Sequence, residues 1–138
     1  MLKVKDLMTI DPDVVAPDTP LRSVIALMNR CDYRQLPVVV DGRAVGIITD
    51  RDVRLAVDSP ILSGEPLQRL QALDTITAGQ CMTKNPLSVT PETAVYAAAG
   101  LLARHKFGAL LVVEGERLEG IITVTDLLNQ MALRPEEG

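Results

Sequence analysis

Thr49, Asp50, Arg51 and Asp52 stand in a row, and their side chains suit one kind of ligand. An arginine presents a planar fork of N–H donors that matches a phosphate group. An aspartate can accept two hydrogen bonds from a vicinal diol such as a ribose. A threonine hydroxyl can bond a phosphate oxygen or cap a helix. Where a strand ends and a helix begins, the free N–H groups of the first turn add partial positive charge for an anion. A plainer reading fits the same residues. A threonine followed three positions later by an acidic residue is the pattern of a capping box, with Arg51 merely solvated. In one copy this short spacing does not decide between the two readings.

The chain writes the stretch twice. "GIITDRD" (residues 46–52) is matched by "GIITVTD" (residues 120–126). Slid against itself by 74 residues, the sequence aligns without a gap. Met8-Thr9 falls on Met82-Thr83, Pro12 on Pro86, and Val15-x-Pro17 on Val89-x-Pro91. Thr19 falls on Thr93, Leu27 on Leu101, and Leu36 to Val40 on Leu110 to Glu114. Roughly a third of the aligned positions are identical, which marks a true internal repeat. The chain is therefore read as repeat 1 over 1–57, a connector over 58–77, repeat 2 over 78–133 and a flexible tail over 134–138.

Each repeat reads β-α-β-β-α. A short extended piece (Val14-Val15, then Ser88-Val89) stops at Pro17 or Pro91, because proline lacks the N–H of a central strand. Thr19 and Thr93 are expected as helix N-caps, with Pro20 at the first helical position of the first copy. Leu21, Val24, Ile25 and Met28 then follow helical spacing, repeated by Val95, Ala98, Ala99 and Leu102. "LPVVVDGRAVGIIT" reads as a hairpin turning at Asp41-Gly42, and Glu114-Gly115 is expected to play that part in the second copy. The second strand runs into a helix at Thr-x-x-Asp. In the connector, Pro60, Gly64 and Pro66 predict a turn. Leu67 to Leu73 predict an amphipathic helix whose leucines need burial.

Composition narrows the classes of function. The 138 residues are 47% hydrophobic but only 2% aromatic, so the core must be aliphatic. The net charge of −4, with no basic stripe, argues against nucleic acid as the main partner. No apolar run approaches the roughly 18 residues of a membrane span, and no signal peptide is evident; a cytoplasmic location is expected. Cys31 and Cys81 form no CxxC, and His105 is the sole histidine, poor material for a metal site. Two buried, reduced thiols are expected. No nucleophile–base set or phosphate-binding glycine loop appears, so catalysis is not expected. Arg104-His105-Lys106 closes a helix, where basic groups suit the helix dipole.

The paired Val-x-Pro, the "LPVV" strand and the "GIITxxD" turn together resemble a tandem pair of cystathionine-β-synthase (CBS) domains, or Bateman module. The resemblance covers nearly the whole chain. It implies an α/β (α+β) fold in which two pseudo-symmetric β-α-β-β-α CBS repeats pack sheet to sheet as one compact module. It also implies a non-catalytic regulatory role. An adenosine compound (AMP, ADP, ATP or S-adenosylmethionine) would bind in a cleft between the repeats as regulatory ligand, with no cofactor required. A homodimer formed through helix faces and an unidentified effector protein would be the partners; the alternatives are a ligand-free dimerisation or interaction module and a sensor of S-adenosylmethionine. Carried over by position, a first site would use Arg34, Thr49, Arg51 and Asp52, with Asn85, Leu87 and Val89 around the adenine. A second, weaker site would use Thr123, Thr125 and Asp126, with Asp13 and Val15. The copies differ in charge. Arg34 aligns with Gly108 and Arg51 with Thr125, and the second site faces Asp11 and Asp13. The first site is thus expected to favour a phosphorylated ligand, and the second an uncharged or cationic one.

Overall fold

The computed structural model describes residues 1–58 and 65–133. Its elements are α1 (Val4–Leu7), β1 (Thr9–Ile10), α2 (Leu21–Cys31), β2 (Gln35–Val40), β3 (Arg43–Thr49), α3 (Asp50–Val57), α4 (Pro66–Thr75), α5 (Ala78–Cys81), β4 (Thr83–Lys84), β5 (Ser88–Val89), α6 (Val95–His105), β6 (Ala109–Glu114), β7 (Arg117–Thr123) and α7 (Val124–Met131). The turn expected at Pro60 and Gly64 and the tail over 134–138 lie outside the described residues.

Two compact units form, and their borders are offset from the repeat in the sequence. One comprises residues 13–86; the other joins 1–12 to 87–138. The opening segment of each repeat thus leaves its own sequence neighbours. In unit 13–86, β4 pairs antiparallel with β3, Gly46 opposite Lys84 and Ile47 opposite Thr83. In the other unit, β1 pairs with β7, Ile10 opposite Gly120 and Thr9 opposite Ile121. Close approach explains the glycines of both GIIT strands. A β-carbon on Gly46 would lie 2.9 Å from the Thr83 carbonyl oxygen, and one on Gly120 would lie 2.6 Å from that of Thr9.

In unit 13–86, the hairpin β2–β3 closes at Asp41-Gly42, whose φ values are +51° and +80°. Both signs suit a two-residue primed turn. Val15 bridges β2 in parallel, its N–H donating to the Pro37 carbonyl and its carbonyl accepting from Val39. Leu21 and Val24 of α2 pack with Leu36, Val38, Ile48 and Ala78. Burying each such leucine or isoleucine contributes about 1.5–3 kcal/mol. The α4 helix forms as expected, but its leucines do not share one fate. Leu73 packs on the core, while Leu67 and Leu70 are exposed. Polar contacts attach α4 to α2: Arg22 Nε donates to Asp74 at 2.5 Å, and the same guanidinium donates to the Leu70 carbonyl at 2.5 Å.

The second unit repeats the plan with β5, α6, β6, β7 and α7. Val4, Val89, Leu102, Leu110, Val112 and Ile122 build its core. Its hairpin turns one residue later than expected. Glu114 pairs with Arg117, so the turn holds Gly115-Glu116, with Gly115 at φ +63°. The left-handed conformation favours glycine there, where the first hairpin has Asp41, and the glycine's own position marks the turn. Lys3 and Lys5 both donate to the Glu92 carboxylate, at 2.6 and 2.8 Å, tying α1 to this unit. The two lysines hold Glu92 well below the usual carboxylate range, at about 2.

Thr19 and Thr93 take a different role from the one expected. The N-cap positions of α2 and α6 are Pro20 and Ala94. Thr19 Oγ1 accepts from the Ala16 N–H and Thr93 Oγ1 from the Thr90 N–H, so each threonine closes the turn before its helix. The Leu21 N–H at the start of α2 donates instead to the Ile76 carbonyl at 2.7 Å. The cysteines are free, but Cys31 is exposed and only Cys81 is half-buried. Among the described residues no helix is long and apolar enough to cross a membrane.

Candidate functional site

The strand-to-helix turn at Thr49 forms as the sequence suggests. Thr49 ends β3 in extended geometry and caps α3. Its Oγ1 accepts from the Asp52 N–H at 3.1 Å, and Asp52 Oδ2 accepts from the Thr49 N–H at 2.9 Å. The capping box is therefore real, and it does not exhaust these side chains. The Thr49 hydroxyl proton and Asp52 Oδ1 have no hydrogen-bond partner among the described residues. One carboxylate oxygen fixes the geometry, and the other remains an acceptor.

The cations stand beside this turn. The Asp50 N–H donates to the Arg34 carbonyl at 2.8 Å, which fastens the residue before β2 to the start of α3. Arg34 and Arg51 are exposed, and neither side chain has an ion pair among the described residues. The Arg34 side chain lines an open groove of about 480 Å³ between α2 and α3, together with Asp50, Val53 and Arg54. Arg51 does not line it. Asp52 also acts on its neighbours: its charge, after burial itself, pushes the Cys81 thiol pKa up. That leaves Cys81 a poor nucleophile at neutral pH.

The other unit carries the same box without the cations. Thr123 Oγ1 accepts from the Asp126 N–H at 3.1 Å, and Asp126 Oδ2 from the Thr123 N–H at 2.8 Å. The Val124 N–H donates to the Gly108 carbonyl at 3.0 Å. Thr125 and Gly108 occupy the positions of Arg51 and Arg34.

The remaining site candidates fall as follows. Asn85 shares unit 13–86 with Arg34, Thr49, Arg51 and Asp52; it is exposed and left-handed, at φ +50°. Asp11, its counterpart, has φ +49°, so both residues shape a turn that tolerates asparagine or aspartate. Leu87 and Val89 belong to the other unit, with Thr123, Thr125 and Asp126. Asp13 and Val15 belong to unit 13–86. The Val15 and Val89 side chains are buried in the cores of their units, which leaves them only backbone groups to offer a ligand. Asp13 accepts a 2.5 Å hydrogen bond from the Tyr33 hydroxyl, which pushes the Tyr33 pKa up to about 12. Sequence reasoning missed that pair. Phe107 stands where Tyr33 stands, with no hydroxyl, and stacks on His105 with centroids 5.4 Å apart.

A model of the CBS domain matches the chain twice, over residues 4–59 and 78–133. A CBS domain-containing protein of Dictyostelium discoideum is 38% identical over 128 residues, covering 91% of this chain and 88% of its own. The inosine-5'-monophosphate dehydrogenase of Mycobacterium tuberculosis is 40% identical over 124 residues, 88% of this chain, but the match spans only 21% of the enzyme. Among solved structures, CBSX2 in complex with AMP has a TM-score of 0.79 at 32% identity, covering 95% of this chain and 96% of that one.

Proposed function

From the premise that this chain belongs to the CBS-domain family, with two such domains in tandem, we propose that it is a non-catalytic sensor of a phosphorylated adenosine compound. The ligand, of the AMP, ADP or ATP class, binds at the Thr49–Asp52 turn. Asp52 Oδ1 accepts from the ribose hydroxyls, and Thr49 and Arg51 donate to phosphate, with Arg34 adding positive charge. Asn85 is assigned to the adenine; Leu87 and Val89 share that role on the strength of the family resemblance alone. Thr123, Thr125 and Asp126 form a weaker site that prefers an adenosine compound without a phosphate. Ligand shifts the population of conformations, and an effector protein reads the shift; the module acts as a homodimer.

One observation carries this reading. Among the described residues the capping box of α3 leaves an acceptor and a donor unused and Arg51, in the same turn, has no ion pair, and a solved relative 32% identical is complexed with AMP. A thermal-shift panel of AMP, ADP, ATP, S-adenosylmethionine and adenosine tests it. A ligand at a hundred times its Kd stabilises by about 2.7 kcal/mol, which a melting curve resolves. A shift with the phosphorylated ligands and no turnover supports the sensor. No shift with any of the five defeats it in favour of a ligand-free interaction module.

A further inference from the structure

The groove between α2 and α3 is distinct from the turn assigned to the nucleotide. Arg51 and Asp52 do not line it, whereas Arg34, Asp50 and Arg54 do. All of its walls belong to unit 13–86. Its volume of about 480 Å³ falls within the range of small-molecule sites, about 300–1,000 Å³. Met28 and Val53, both buried, and the half-buried Ile25 give it an apolar lining. The polar lining carries both signs: Arg34 and Arg54 supply N–H donors, and Asp32 and Asp50 supply carboxylates. Asp50 and Arg54 stand at i and i+4 on α3, neighbours on one side of the helix. That spacing suits an ion pair, yet none of these four charges has one among the described residues. The Tyr33 hydroxyl, by contrast, is already taken by Asp13.

The repeat shows that folding does not require these charges. At the equivalent positions of the other unit, Gly108 stands for Arg34, Val124 for Asp50 and Leu128 for Arg54, and Lys106 reverses the sign of Asp32. The same pair of helices and the same hairpin form there without them. Charges that neither pair with one another nor serve the fold are available to a ligand.

We propose that this groove binds a free α-amino acid with an apolar side chain. A plain anion would be repelled by Asp32 and Asp50, and a plain cation by the two arginines. A zwitterion satisfies both signs at once. Its carboxylate accepts from the guanidinium groups of Arg34 and Arg54, whose planar forks match it, and its ammonium donates to Asp50. Ammonium and carboxylate hang on a single carbon, a short span that suits two residues one helical turn apart. The ligand side chain lies over Ile25, Met28 and Val53, where removal of apolar surface from water favours binding. This site goes beyond the nucleotide reading and does not depend on it.

The test is an NMR titration of the isotope-labelled full chain with leucine, isoleucine, valine, methionine and phenylalanine, each to about 10 mM, which reaches millimolar dissociation constants. Isocaproate and isoamylamine, which are leucine without its ammonium and without its carboxylate, serve as controls. At least one amino acid should shift the amides of residues 25–34 and 50–54 saturably, and each control should bind about tenfold or more weakly, having lost one charged contact. Arg54→Leu installs the side chain of the second unit at an exposed position outside the nucleotide turn. It should weaken amino-acid binding about tenfold and leave the melting curve and the response to AMP unchanged. No shift with any of the five overturns the proposal. Binding of either control as tight as that of leucine overturns the zwitterion, and undiminished binding in Arg54→Leu overturns the site. AMP that saturably shifts the groove amides, and loses that effect in Arg54→Leu, would assign the groove to the nucleotide and overturn it as a separate site.

Discussion

Replacing Arg51 by threonine gives the first site the residue of the second. Arg51 is exposed and has no ion pair among the described residues, so the substitution should leave the melting temperature of the free protein unchanged. Its effect should appear only with a phosphorylated ligand. A hydrogen bond to a charged group contributes about 1.5–3 kcal/mol. Solvent exposure selects the lower end of that range, which corresponds to about a tenfold weaker Kd. Calorimetric titration with AMP and with adenosine separates the phosphate contact from the rest. AMP should lose about that factor, while adenosine, having no phosphate for Arg51 to meet, should lose almost nothing. Raising the salt concentration should narrow the gap between wild type and variant, since exposed charges are screened. Equal losses for AMP and adenosine would show that Arg51 acts on folding or on the base. No loss for either would remove Arg51 from the site.

Other outcomes follow from the same structure. Gly120→Ala places a β-carbon 2.6 Å from the Thr9 carbonyl oxygen; displacing β1 should cost about 1–3 kcal/mol, visible in urea denaturation as a lower midpoint. Thr123→Ala removes the α7 cap and should cost about 1 kcal/mol, measured in the same way, with the first site's AMP affinity unchanged. Glu92 has a lowered pKa, so its stabilising effect is complete above its ordinary value of 4.5 and is lost as pH falls towards about 2. Glu92→Gln should flatten that part of the acid denaturation curve. Tyr33 has a raised pKa, so its contribution is complete below its ordinary value of 10.0 and fades as pH rises towards about 12. In a spectrophotometric alkaline titration Tyr33→Phe should abolish the late-titrating phenol.

Much of this was legible in the sequence because the signals are local. The β2–β3 turn at Asp41-Gly42 and the Thr-x-x-Asp caps each lie within a few residues, where spacing dictates geometry, and the 74-residue repeat writes each of these signals twice. What failed depends on distant partners or on competition between nearby ones. Thr19 took the Ala16 N–H, leaving the start of α2 to the Ile76 carbonyl. Leu67 and Leu70 carry helical spacing that reads as buried, yet Arg22 anchors α4 through polar groups instead. The docking of α1 and β1 with residues 87–138 is invisible locally, because pairing Thr9 with Ile121 requires contact across most of the chain. Glycine gave a partial hint: Gly46 and Gly120 precede their isoleucines where a neighbouring strand comes close. At the candidate site, the residue types were readable. The choice between cap and ligand group was not, because Asp52 can serve as both, one oxygen for each.

The central claim is tested most directly by the stoichiometry of AMP binding. Calorimetry on wild type, Asp52→Ala and Asp126→Ala, each checked for folding by its melting curve, counts the tight sites. The account expects one tight AMP site per chain, abolished in Asp52→Ala and retained in Asp126→Ala. Two equal sites, or one that survives Asp52→Ala and disappears in Asp126→Ala, would contradict it.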